Sequence, residues 1–94
     1  MGIKSNPDPR ALWRARAVKA LEEVASELPV FIALDIWNRL RRDYGETPQH
    51  TFSMGSVIIR AAEKGICRPA GYLAQPGNKL ILQWRSTICR EVVA

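Results

Sequence analysis

A helical segment that ends at a glycine and leads directly into two β-like runs is the feature that most constrains this chain. Apolar residues recur at helical spacing up to Gly65, a residue suited to the position after a helix, and Thr51 or Ser53 can cap the start. The two β-like runs that follow are separated by the turn sequence Gln75-Pro76-Gly77-Asn78. We therefore predict a helix over about 52–64 and a β-hairpin over about 66–85.

Two further amphipathic segments precede this unit. The first begins near Pro9, a residue tolerated in the first turn of a helix, and Pro29 ends it. Residues 9–28 and about 33–43 are thus predicted to be helices, and Val30-Phe31-Ile32 is a short β-like run that can pair with the hairpin.

The same periodicity predicts where the large side chains pack. Trp13 and Trp37 fall on the apolar stripes of their helices, and Trp84 shares a strand face with Leu80 and Leu82. We expect all three tryptophans in the core, with Trp37 and Leu40 buried between helices. Gly55 within the third helix suggests close approach of another backbone, either the second helix or DNA.

Three helices followed by a hairpin, with a short strand after the first helix, is the element order of a winged helix-turn-helix. The predicted fold class is therefore α+β, mainly α. The expected organisation is a flexible N-terminal arm over 1–8, the domain over 9–87 and a C-terminal tail over 88–94.

Charge is distributed unevenly along the 94 residues, whose net charge is +5. Residues 1–20 carry five basic groups against one acid, residues 21–50 three against six, and residues 51–94 six against two. Basic ends around an acidic middle favour a polyanion-binding face, and a surface charged for solubility is the alternative interpretation.

The sequence argues against secreted and membrane proteins, metalloproteins and enzymes. No apolar run reaches a bilayer-spanning length and the N-terminus lacks the apolar region of a secretory signal, which predicts a cytoplasmic protein without a membrane partner. The two cysteines, Cys67 and Cys89, are expected to be reduced thiols, and we expect no metal site and no cofactor. His50 is the single histidine and has no obvious nucleophilic partner, so we expect no enzyme activity.

The chain also resembles a family over roughly residues 12–87. It resembles small winged helix-turn-helix proteins of bacteriophages and mobile elements in an Ala-Ala-x-x-Gly-Ile pattern at residues 61–66, an Arg-Pro-x-Gly-Tyr pattern at 68–72 and Trp84-Arg85-Ser86. Phe31, Asp35 and Trp37 stand where the family tends to have an aromatic, an acid and an aromatic residue. The resemblance implies the same fold and a DNA-binding role. The chain departs from the family in its short wing tip and in Ile32, which stands where the family has a hydroxyl cap.

In a helix-turn-helix, the second helix of the motif presents its N-terminal residues to base edges in the major groove. The candidate recognition residues are Gln49, His50, Thr51, Ser53, Ser56 and Arg60. The candidate phosphate contacts of the wing are Arg68, Asn78, Lys79 and Arg85. Two competing interpretations remain. Thr51 and Ser53 can simply cap the helix, and the wing residues can be charges that protect an exposed strand edge from pairing with another chain. Arg14, Arg16 and Lys19 of the first helix are a second candidate phosphate-facing patch, or a solvated surface.

The leading hypothesis is a protein that binds double-stranded DNA, as a transcriptional regulator or accessory factor of a phage or mobile element. The alternative is a winged-helix fold used as a protein-binding module, either a host-directed inhibitor or an assembly adaptor. An exposed apolar patch around Ile88, Val92 and Val93 would favour this alternative. A palindromic DNA site would require a homodimer, for which the C-terminal tail is the candidate interface.

Overall fold

The computed structural model describes residues 9–46 and 53–89. The order of elements is α1 (Pro9–Glu27), β1 (Val30–Phe31), α2 (Ala33–Tyr44), α3 (Met54–Glu63), β2 (Cys67–Gln75) and β3 (Lys79–Ser86). The fold is α+β, mainly α, with an arrangement compatible with a winged helix. The predicted elements are confirmed, including the pairing of the short first strand with the hairpin. The 1–8 arm and residues 90–94 of the tail lie outside the described ranges.

Local signals in the sequence account for the helix ends. α1 stops before Pro29, which leaves Leu28 38% exposed rather than on the buried stripe. At the start of α2, a carboxylate oxygen of Asp35 accepts a hydrogen bond from the Ile32 N–H at 2.8 Å, so an acid satisfies a backbone donor where the hydroxyl cap is missing. α2 ends at Gly45, whose φ is 70°.

The end of α3 sets the direction of the hairpin. Gly65 takes a φ of 84°, the Gly65 N–H donates to the Ala62 carbonyl at 2.9 Å, and the Ile66 N–H donates to the Ala61 carbonyl at 3.0 Å. This pair of bonds is the Schellman motif, which closes a helix and reverses the chain. The chain therefore enters β2 directly from α3.

The three strands form one antiparallel sheet in the order β1-β3-β2. Phe31 of β1 is opposite Trp84, and Pro69 of β2 is opposite the same residue on the other side. Phe31 and Trp84 are buried, so the side chains of this pair face the helices. A bulge between Pro69 and Tyr72 interrupts the β2–β3 ladder before it continues to the turn at residues 76–78.

The core lies between the helices and the inner face of this sheet. Its fully buried large side chains are Phe31, Leu21, Ile36, Leu40 and Ile58. Trp13 and Trp84 are buried as predicted. Trp37 is only half-buried, because it packs at the edge of the core with its ring 5.5 Å from that of Trp13.

Two exposed positions show where neighbouring elements do not reach. Leu80 shares the inner face of β3 with Leu82 and Trp84 but is 65% exposed, because the hairpin extends beyond the helices that cover its base. Gly55 is exposed, and among the described residues an added Cβ would meet only the Ser53 hydroxyl oxygen, at 3.8 Å. The second helix therefore does not approach the Gly55 backbone closely.

Ion pairs hold α1 against α2 and against the residues that directly follow α2. Arg39 contacts both Glu23 and Glu27, and Arg16 of α1 contacts Glu46 at 2.9 Å. The hydrogen bond from Arg39 to Glu27 raises the pKa of that guanidinium above its ordinary value, with desolvation opposing the shift. Much of the acidic middle of the chain is therefore neutralised by cations within the fold.

Candidate nucleic-acid interface

The start of α3 is capped by one of the predicted recognition residues. The Ser53 hydroxyl oxygen accepts a hydrogen bond from the Ser56 N–H at 3.2 Å and lies 3.1 Å from the Ser56 hydroxyl. The capping interpretation of Ser53 is therefore confirmed, although both side chains remain exposed. Gln49, His50 and Thr51 precede this cap and lie outside the described residues.

The outward face of α3 carries Ser56, Ile59, Arg60 and Glu63, all exposed. Met54, Val57, Ile58 and Ala61 are buried on the opposite side. Ile59 is 53% exposed and was not among the residues expected on this face. The sequence could have predicted this exposure, because Ile59 follows Ser56 by three positions and therefore lies on the same face of the helix, outside the apolar stripe.

A pocket of about 130 Å³ lies between α1 and α3. Its lining consists of an apolar floor, made by Val18, Leu21, Val57, Ala61 and Ile66, and a charged rim, made by Arg14, Glu22, Arg60 and Lys64. Arg14 is thus brought together with Arg60, although the two residues are far apart in the sequence. Within the described ranges, none of the three rim cations makes an ion pair.

The other cations of the predicted α1 patch lie elsewhere. Arg16 pairs with Glu46, and its guanidinium carbon lies 4.6 Å from the centre of the Tyr44 ring. Lys19 lines a different surface depression, together with Glu22 and Glu23. The structure therefore separates Arg14, which reaches α3, from its two neighbours in the proposed patch.

The cations of the hairpin occupy another surface. Arg68 and Arg85 are directly opposite each other on β2 and β3, and both are exposed. Because strand residues alternate between faces, these two side chains point away from the helices, opposite to their buried neighbours Cys67 and Trp84. Lys79 lies on that same outer face at the tip, beside the exposed Asn78. The wing candidates are therefore on a different side of the sheet from α3.

In the described part of the chain, no three His, Cys, Asp or Glu side chains cluster in a way that could hold a metal ion. Cys67 and Cys89 are free thiols. Burial raises the pKa of the Cys67 thiol, whose sulfur lies 3.9 Å from the Ile58 carbonyl oxygen. Among the described helices, none has the length and apolarity needed to cross a membrane.

In comparisons with known proteins, no family model, curated protein or solved structure matches the chain.

Proposed function

We propose that this chain is a winged helix-turn-helix protein that binds double-stranded DNA through α3 and the cations beside it. The observation that carries the proposal is the convergence of Arg14, Arg60 and Lys64 around one pocket between α1 and α3. Most cations of a small domain can be neutralised by nearby acids, as Arg16 and Arg39 are here. Cations from α1 and from the end of α3 that share one surface, and that make no ion pair within the described residues, favour a polyanionic partner.

The outward face of α3 supplies the groups that base reading requires. Arg60 can donate two hydrogen bonds to guanine, Ser56 can bond to a base edge or a phosphate, and Ile59 can contact a thymine methyl group. Arg14 and Lys64 flank Arg60 and would hold the phosphate backbone, which fixes the orientation of the helix without reading sequence. Glu63 lies at the C-terminal end of α3, away from the part of a recognition helix that enters deepest.

The hairpin adds a second, weaker set of contacts. Lys79 and Asn78 at the exposed tip would contact phosphate on one flank of the site. Arg68 and Arg85 face away from the helices and would bind an anion there only if the DNA bends round the sheet or a second duplex segment approaches. The resemblance in residues 61–72 and 84–86 adds the role of a phage or mobile-element regulator or accessory factor, which needs no catalytic group or cofactor.

A salt titration of duplex binding tests the proposal. Affinity for DNA from the protein's own locus and for a random duplex would be measured by fluorescence anisotropy across salt concentrations. A specific binder is tighter on one sequence, while both affinities fall steeply with salt. In the triple variant Arg14→Ala, Arg60→Ala, Lys64→Ala, the slope of log affinity against log salt should fall by roughly two to three units.

Arg41→Ala is the matched control. Arg41 is exposed on α2 and makes no ion pair within the described residues, but it does not line the α1–α3 pocket. It should leave the slope nearly unchanged. If the triple variant is folded and binds both duplexes as the parent does, the α1–α3 surface is not a DNA interface.

A protein-binding module is the second candidate, and one observation favours it. Tyr72 and Leu80 of the hairpin are 67% and 65% exposed, which is unusual for large apolar side chains on one strand pair. Absence of duplex binding at low salt by the folded parent chain would make this candidate the better account.

A further inference from the structure

The outer part of the hairpin has apolar side chains on both faces. Tyr72 and Leu80 are exposed on the inner face beyond the helices, and Leu73 is 39% exposed on the outer face, opposite the half-buried Ile81. Residues 71–83 contain a single charged side chain, Lys79. Solvated strand pairs ordinarily carry more charge, because an exposed apolar edge strand invites pairing with another chain.

One edge of β3 is open along this stretch. β1 pairs only with Trp84 and Arg85, and no other strand within residues 9–46 and 53–89 pairs with that edge. The Ser86 N–H donates to the Pro29 carbonyl on this side of β3, whereas the Thr87 N–H donates to the Ile66 carbonyl on the other side. Peptide groups alternate along a strand, so the N–H and C=O groups of Leu80 and Leu82 point to the open edge.

The other free edge of the hairpin, along β2, is less suited to pairing. Pro69 lacks a backbone donor, and the bulge before Tyr72 bends the strand, with Gly71 at a φ of 99°. Both features are devices that protect sheet edges. The β3 edge from Lys79 to Leu82 has no proline and no bulge.

We infer that two copies of this chain associate by antiparallel pairing of β3 with β3, centred on Ile81. The sequence Lys79-Leu80-Ile81-Leu82-Gln83 is nearly symmetric about that residue, as a two-fold interface requires. Leu80 of one copy would be opposite Leu82 of the other, and the two residues would exchange both N–H···O=C bonds. Ile81 would meet its own counterpart in the adjoining non-hydrogen-bonded pair.

The side chains suit this register. Leu80 would pack beside the partner's Leu82 on the inner face, which covers one of the most exposed apolar residues of the chain. Lys79 and Gln83 flank the paired residues, so the two Lys79 side chains would lie at opposite ends of the interface and no like charges would face each other. The pairing requires only residues 80–82 of each copy, and the rung of Gln83 remains free for Ile32, where the chain turns into α2.

Sedimentation velocity over a concentration series tests the inference. The parent chain should change from 10.6 kDa to twice that mass as concentration rises. Leu80→Lys should move the midpoint of this change to about tenfold higher concentration or more, because it places a charge in an apolar contact. Leu34→Lys is the matched control, since Leu34 is 55% exposed on α2, and it should leave the midpoint unchanged.

A cross-link tests the register itself. In a Cys89→Ser background, Ile81→Cys should form an intermolecular disulfide on mild oxidation, because opposed residues of a non-hydrogen-bonded pair are about 4.5 Å apart at Cα. Leu73→Cys lies one strand away from the proposed two-fold axis and should not cross-link. The inference is overturned if the folded parent is monomeric throughout, if Leu34→Lys dissociates the dimer equally, or if both cysteine variants cross-link alike. It is independent of DNA binding.

Discussion

Arg68 of β2 and Arg85 of β3 are directly opposite each other in the antiparallel ladder, with both side chains exposed on the face that points away from the helices. Like charges in this position destabilise a strand pair, in the same range as opposite charges stabilise it. Repulsion between these two arginines therefore lowers the stability of the strand pair when no anion is bound.

Reversing either charge should stabilise the protein. Arg68→Glu and Arg85→Glu are each expected to raise the free energy of unfolding by about 0.2–1 kcal/mol, since each creates an opposite-charge pair. The double variant should lose this gain, because two carboxylates then face each other. Urea unfolding followed by circular dichroism measures all three values. If the change in unfolding free energy of the double variant equals the sum of the two single changes, the two side chains do not interact.

Arg60 and Lys79 are predicted to contribute differently to DNA binding. Arg60→Ala should weaken binding to a preferred site by about 1–3 kcal/mol and relax its sequence preference, because Arg60 faces base edges in the proposed complex. Lys79→Ala should weaken preferred and random duplexes alike and reduce the salt slope by about one unit. Competition binding with both duplexes separates the two effects. The assignment of roles fails if Arg60→Ala weakens both duplexes by the same factor.

Trp13 and Trp37 should differ in their contributions to stability, although their rings are in contact. Trp13 is 5% exposed in the second turn of α1, so Trp13→Ala should lower the free energy of unfolding by about 3–5 kcal/mol. Trp37 is half-buried, so Trp37→Ala should cost roughly half as much. Denaturant unfolding monitored by far-ultraviolet circular dichroism compares the two. A greater loss from Trp37→Ala would place the centre of the core nearer α2.

The Cys67 thiol predicts an alkaline loss of stability. Its pKa is raised by burial above the ordinary value of 9.0, so above about pH 9 the unfolded chain releases this proton while the folded chain retains it. The stabilising contribution is complete below pH 9 and is lost as pH rises through the folded pKa. The unfolding free energy of the parent should therefore fall more steeply with pH in this range than that of Cys67→Ala. If the unfolding free energies of the parent and of Cys67→Ala fall equally with pH, the prediction is contradicted.

The sequence predicted the elements well because their signals are local. Pro29, Ser53 and Gly65 act on their own backbones, so the helix ends could be placed within about two residues. The hairpin followed from its turn sequence in the same way. These predictions did not depend on which surfaces meet in the folded chain.

Predictions that depended on how far neighbouring elements extend were less successful. Alternation correctly put Leu80 on the same face as Trp84, but it could not show that the helices end before reaching it. Arg14 and Arg16 looked equivalent on α1, yet Glu46 neutralises one while the other reaches the α3 pocket. Contacts between residues distant in the chain decided these cases, and no local pattern reports them.

The short strand β1 also constrains the order in which the chain can fold. Phe31 is fully buried against a rung completed by Trp84, and the Ser86 hydroxyl donates to the Ala25 carbonyl near the end of α1. These contacts join the end of α1 and β1 to β3. During synthesis, Phe31 therefore remains without its native cover until residues 84–86 have left the ribosome. The helices can form earlier from local contacts, but the sheet closes only after residues 84–86 have been synthesised.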